Sequence, residues 1–162
     1  MSNFTKGATL AIYKEKAALN IQFAPAKAND KGYLEPGGFM LAFAPANGES
    51  GGAKYLWDNA IRIMLDVSEV TRFVRMLKEE IVEGKQHTSI YHDPDKGTPQ
   101  ENTRAKKRYT GQARDGGKFL NIDSAGNRVS VVLSADEIAY ISAAMGQSIP
   151  GCLGWIFESA SN

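Results

Sequence analysis

From Ala17 to Ala24 the chain alternates. Ala17, Leu19, Ile21 and Phe23 fall on one face of an extended strand, Asn20 and Gln22 on the other. The same period of two predicts strands at 8–13, 39–46, 60–65, 88–92, 107–114, 118–123 and 128–133. In 60–65, Ile61, Ile63 and Leu65 point one way and Arg62 and Met64 the other. Turns are expected at "EPGG" (35–38), "DGG" (115–117) and "SAGN" (124–127), and a loop at "NGESGGAK" (47–54). After Leu65 the period changes. Val70, Phe73, Val74, Leu77 and Ile81 form the apolar stripe of a helix, started by an Asp66/Glu69 capping box and stopped near Gly84.

This corner from strand to helix occurs twice. "NAIRIMLDVSEV" at 59–70 is echoed without a gap by "NRVSVVLSADEI" at 127–138, 68 residues on, with Ser134 and Glu137 as the second capping box and a helix from Ala135. Strands followed by a helix, twice, predict an α+β fold. The expected architecture is a duplicated unit of four antiparallel strands plus a helix, giving two packed antiparallel sheets with helices at one end. All of 1–162 is read as one domain with pseudo-repeats at about 8–83 and 84–157.

Helix two belongs to a stretch without a charged residue, "IAYISAAMGQSIPGCLGWIF" at 138–157. Its length would span a bilayer, but Gln147, Ser142, Ser148, Pro150 and three glycines make it a poor span, and no membrane is expected. A helix dry on all sides is covered by its own domain or by sister subunits. The small residues Ala139, Ser142, Ala143, Ala144 and Gly146 permit close helix approach, so a homo-oligomer is expected, centred on these C-terminal segments. Its interface is placed at Ala139, Ser142, Ala143, Met145, Gly146, Ile149, Leu153 and Trp155.

Composition narrows the picture. A net charge of +1 argues against holding duplex DNA by bulk electrostatics. The charge is unevenly spread, however. Arg104, Lys106, Lys107, Arg108, Arg114 and Lys118 stand against Asp115 alone, a local +5 that leaves −4 for the remainder. A single cysteine, Cys152, suits a reducing compartment, and its apolar company suits an inert thiol. The N-terminal "MSNFTKGATLAIYKEK" has no signal or transit character, so a cytoplasmic, nucleoid-associated protein is expected.

The order of "KEKAAL" (14–19), "GFMLAFAPA" (38–46), "YLWDNAIRIMLDVSEV" (55–70), "YHDPDKG" (91–97) and "ISAAMGQSIPGCLGW" (141–155) resembles the Whirly proteins over about 8–157. The resemblance implies single-stranded-DNA binding and a tetramer with C-terminal helices at its centre and sheets radiating outward, strands of DNA running along the sheets and between subunits. Plant members carry a transit peptide that this sequence does not show, so a prokaryotic or phage-like member, or a trimmed chain, is expected. The family's "KGKAAL" reads "KEKAAL" here, with Glu15 in place of Gly. The second lysine, here Lys16, is linked in the family to assembly of tetramers into larger particles, which the neighbouring carboxylate puts in question.

Binding an unpaired strand needs cations for phosphates and flat side chains for bases. The cations expected to serve are Lys16, Arg62, Lys106, Lys107, Arg108, Arg114 and Lys118, with Asn20 and Gln22 as hydrogen-bonding amides. The rings are Tyr33, Phe39, Tyr55, Trp57, Tyr91 and Tyr109. Phe39 shares a face with Leu41 and Phe43 and is equally a core residue, and Trp57 either packs its loop or meets a base. His92, Asp93 and Asp95 lack the ligand set of a closed zinc site or an EF-hand and read as a turn. The expected function is therefore single-stranded-DNA binding with little sequence preference, protecting strands in repair, recombination or replication, with no cofactor and no catalytic step. An RNA-binding or annealing protein remains open, as does a structural oligomer or small-molecule-binding module with an incidental basic band.

Overall fold

The structure, a computed structural model, describes residues 9–48, 52, 54–79, 89–92, 107–114 and 117–155; for 89–90 and 107–114 it describes the main chain. Strands β1 (Thr9–Tyr13), β2 (Ala17–Ala24), β5 (Gly38–Pro45) and β6 (Ile61–Leu65) form one antiparallel sheet in the order β1-β2-β5-β6. Helix α1 (Val67–Lys78) follows directly. Strands β7 (Ser89–His92), β8 (Lys107–Arg114), β9 (Gly117–Ser124) and β10 (Asn127–Ser134) form the second sheet in that order, and α2 (Ala135–Cys152) follows it. The α+β class and the paired antiparallel sheets are as the alternation predicts.

Register explains the core. Leu19 pairs with Phe43 and Phe43 with Ile61, Ile21 with Leu41 and Leu41 with Ile63, Phe23 with Phe39 and Phe39 with Leu65. These rows face inward, toward Leu120, Ile122, Val129, Val131 and Leu133 of the second sheet. Val70, Phe73, Met76 and Leu77 of α1, and Ile141, Met145 and Cys152 of α2, close the same core. Phe39 is thereby a core residue and not a stacking platform.

Both capping boxes form, at positions 68 residues apart. Asp66 accepts from the Glu69 amide and Ser134 from the Glu137 amide, while each glutamate accepts from its cap's N–H. The glutamates also reach across the molecule. Glu137 Oε1 meets Lys14 Nζ, just after β1, at 2.7 Å, and Glu69 Oε1 meets His92 Nδ1, ending β7, at 2.7 Å. Each sheet's first strand is thus tied to the helix that follows the other sheet. Burial pushes the Glu137 carboxyl up, but the Lys14 ammonium and the Ser134 hydrogen bonds outweigh it and hold it below the usual range.

Two local features differ from expectation. Helix α1 ends at Lys78, ahead of Gly84, with Glu79 extended at ψ 129°. Its end is satisfied by a side chain, since the Lys118 ammonium donates to the Met76 carbonyl. A small hairpin, β3 (Lys27–Ala28) with β4 (Leu34–Glu35), fills the stretch between β2 and the expected "EPGG" turn, where the alternation predicts no element, so Glu35 of that turn is in a strand. It is shaped by Asn29 Oδ1, which accepts from the Lys31 and Tyr33 amides, and it caps α2 through Ala26 N–H to Gly151 O and Gly37 N–H to Cys152 O. The "SAGN" turn forms as expected, with Ala125 at φ 49° and Gly126 at φ 81°. Asp115 and Gly116 of the "DGG" turn, Ile81, Gly84, Asp93, Asp95 and Lys106 lie outside the described residues.

Candidate nucleic-acid interface

The outer face of the first sheet is built from alternate residues of four strands. One cross-strand row is Ala11, Asn20, Ala42 and Arg62; the next is Thr9, Gln22, Met40 and Met64. Arg62 and Met64 are exposed, Asn20 and Gln22 half-buried. Asn20 Oδ1 is buried without a hydrogen-bond partner among the described residues, an arrangement that costs about 1–3 kcal/mol unless a donor arrives.

At the end of this face, in the row Tyr13–Ala18–Ala44, two alanines are fully buried although they point outward. What covers them is aromatic. The chain returns past β5, pairing Tyr55 with Ala46, and lays the Tyr55 ring over Ala18 and Ala44. The Tyr55 hydroxyl donates to the Lys14 carbonyl at 2.7 Å, which fixes the ring. Tyr13 packs beside it at 5.5 Å between ring centroids and Trp57 at 6.4 Å, making a three-ring ladder. Lys54 Nζ lies 5.6 Å from the Tyr55 centroid, and Arg62 donates to the Trp57 carbonyl at 2.7 Å. Lys16 is exposed one residue before β2 and makes no ion pair among the described residues.

Lys16, Asn20, Gln22, Trp57 and Arg62 are therefore brought together, as one face offering cations, amides and rings. Tyr55 belongs to the same place but not in the expected role: at 6% exposure and with its hydroxyl engaged, it supports other rings. Tyr13 and Lys54 escape the sequence reading. The signal for them is the pair of outward alanines, Ala18 and Ala44, which a solvated sheet face does not call for.

The second sheet contributes an ion-paired outer row and one reversal. Its outward row includes Arg128, which pairs with Asp123 at 2.7 Å, and Ser130, which donates to Asn121. Tyr91 is exposed. The main chain sets Arg108 opposite Asp123 and Tyr91, Tyr109 opposite the buried Ile122, Lys107 opposite Ser124 and Arg114 opposite Gly117. Lys118 is the reversal. It shares the inward parity of Leu120 and Ile122, is 2% exposed, and its ammonium ends on the Met76 carbonyl inside the fold, out of a strand's reach. Burial pushes its pKa down from 10.5, with Glu79 opposing.

Other expected positions divide by element. Tyr33 is exposed on the β3–β4 hairpin, away from the ladder's strands. On α2, Ser142 and Met145 face the chain's own core and are not available to a neighbouring chain, because the helix turns that stripe onto the sheets. Ala139 and Ala143 are exposed, Gly146, Ile149 and Leu153 half-buried, and Trp155 is 62% exposed just beyond the helix. Among the described residues no group of acids, His and Cys could hold a metal ion, and no helix is long and apolar enough to cross a membrane.

Comparison with solved structures finds the same architecture elsewhere. The plant transcriptional regulator PBF-2 aligns at a TM-score of 0.70 with 26% identity, over 91% of each chain. WHY3 from Arabidopsis thaliana aligns at 0.70 with 27% identity, over 91% of this chain and 89% of that one. WHY1 from the same plant aligns at 0.68 with 25% identity, over 91% and 86%. No curated protein sequence matches. Residues 12–146 match the family described as Whirly transcription factor, and the chain belongs to the Whirly family.

Proposed function

We propose that the chain binds single-stranded DNA with little sequence preference, as a homotetramer, and protects exposed strands during repair, recombination or replication. The observation that carries this reading is the first sheet's outer face, where braced rings, amides and the cations Lys16, Lys54 and Arg62 share one surface. Rings accept any base by stacking, cations follow the phosphates, and neither needs a defined sequence. Membership of the family agrees with it. Affinity for an oligothymidylate is expected to fall linearly with salt on a log–log plot, at about −0.7 per phosphate neutralised. Three cations on this face alone then give a slope of roughly −2. A slope near zero contradicts the proposal.

Assembly is supported by what α2 leaves uncovered. Ala139, Tyr140, Ala143 and Ala144 form an exposed face. Among the described residues nothing lies within 4 Å of where a Cβ on Gly146 would stand, so none of them calls for that glycine. A glycine inside a helix costs about 1 kcal/mol relative to alanine, and close approach by a second helix accounts for it. Ala143→Glu is expected to reduce the particle mass below that of a tetramer with helix content unchanged. A tetramer of unaltered mass would rule out α2 as its centre.

A further inference from the structure

We propose that the end of the first sheet, where β1 turns into β2, is a nucleobase-stacking subsite: Tyr13 is the platform for an unpaired base, and Lys16 and Lys54 hold the phosphates beside it. This rests on the single-strand reading and assigns one of its contacts to named residues.

Tyr13 is 61% exposed, which is high for a ring that has a packing partner. Its contact is one-sided. Tyr55 stands at 5.5 Å with the planes tilted by 35°, and Tyr55 cannot swing away, because it is buried over Ala18 and Ala44 and its hydroxyl is held by Lys14 O. The Tyr13 ring is therefore braced from one side and bare on much of its surface, which suits stacking at low entropic cost. Its own position is set by the β1–β2 ladder, where it pairs with Ala18.

The charges around it fit a phosphate backbone. Lys54 projects over the ladder at 5.6 Å from the Tyr55 centroid. The turn carrying Lys16 is pinned by Lys14 N–H to Ala17 O and by Ala46 N–H to Lys16 O. Lys14 itself is spent on Glu137, whereas Lys16 of the same turn is exposed and makes no ion pair among the described residues. Glu15, exposed between them, is the opposing charge, and its presence predicts that Glu15→Gln tightens binding.

The test is a set of titrations with oligothymidylate and with an otherwise equal strand of abasic sugar-phosphates. Tyr13→Ala is expected to weaken oligothymidylate binding by roughly 5- to 150-fold, as loss of one to a few kcal/mol of stacking implies, without changing the salt slope. Tyr13→Phe and Tyr13→Trp keep the affinity, since the ring and not the hydroxyl is used. On the abasic strand, wild type and Tyr13→Ala bind equally. Lys16→Gln and Lys54→Gln each flatten the salt slope by about 0.7. If wild type binds oligothymidylate and Tyr13→Ala binds it equally well, the subsite is wrong while the single-strand reading stands. A wild-type protein that discriminates thymidylate from abasic strand no better than Tyr13→Ala does overturns it too, without relying on a folded variant alone. If wild type binds neither strand, both fail.

Discussion

Gly117→Ala is expected to destabilise the protein by about 3 kcal/mol, the upper range for forcing atoms into packed space. A Cβ at Gly117 would stand 2.0 Å from the Leu133 carbonyl oxygen and 3.0 Å from its carbon. Main chain cannot rotate out of the way as a side chain can. It is doubly constrained here, because Ser134, the next residue, is the N-cap of α2. Gly38 stands in the same relation to the first corner, 2.0 Å from the Leu65 oxygen, with Asp66 as the N-cap that follows. Gly38→Ala should therefore behave alike, and the two corners share a requirement that spacing in the sequence conceals: 68 residues separate the caps, but each glycine sits on the strand beside its own corner, Gly38 on β5 next to β6 and Gly117 on β9 next to β10, with different connections between. Gly48, with nothing within 4 Å among the described residues, is the control. Thermal melts at matched protein concentration should show a fall of roughly 6–12 °C for either corner variant and little change for Gly48→Ala. Corner variants that melt with the wild type would mean that the strands do not meet the helix starts in this way.

The second large effect is at Lys118. Its stem lies among apolar side chains and its ammonium satisfies a carbonyl at the end of α1. Lys118→Ala removes both, leaving a cavity and an unpaired acceptor, and is expected to cost about 2–5 kcal/mol. Lys118→Met keeps the stem volume and should cost much less, because it also removes the buried charge. The pH dependence separates the variants by mechanism. Burial, opposed by Glu79, lowers the folded-state pKa of Lys118 below 10.5. Between that lowered value and 10.5 the unfolded chain binds the proton more tightly, so stability rises with pH through this window; it is lost again as pH falls through the folded-state value. Urea unfolding across alkaline pH should show this rise in the wild type and not in Lys118→Met. Parallel curves would contradict a buried ammonium. Folded Lys118→Met is also expected to bind single strands as the wild type does, the opposite of what its place in the basic band suggests.

Lys118 shows how the sequence could be misread. Its charge groups it with Arg114 and Arg108, but its parity groups it with Leu120 and Ile122, and parity decided. Where parity and chemistry agreed, as for Leu19 against Asn20 or Ile63 against Arg62, the strands and their faces were readable from the chain alone. The capping boxes likewise marked both helix starts to the residue. What stayed hidden depends on contacts between distant segments. Tyr55 lies in a glycine-rich loop, and only the fold lays it over Ala18 and Ala44. The β3–β4 hairpin pairs few residues and is held by the end of α2 more than 100 positions later. Ser142 and Met145 sit among small and apolar residues on every side, so no local signal told the stripe facing the core from the stripe left exposed.

The central claim is that the first sheet presents a surface for bases that have lost their partners. It is tested most directly by competition between a labelled oligothymidylate and unlabelled competitors, single-stranded or duplex, at fixed moderate salt. Single strands should displace the label at far lower concentration than duplex of equal length, since paired bases offer no free faces to the rings. Equal displacement by the two would contradict the account.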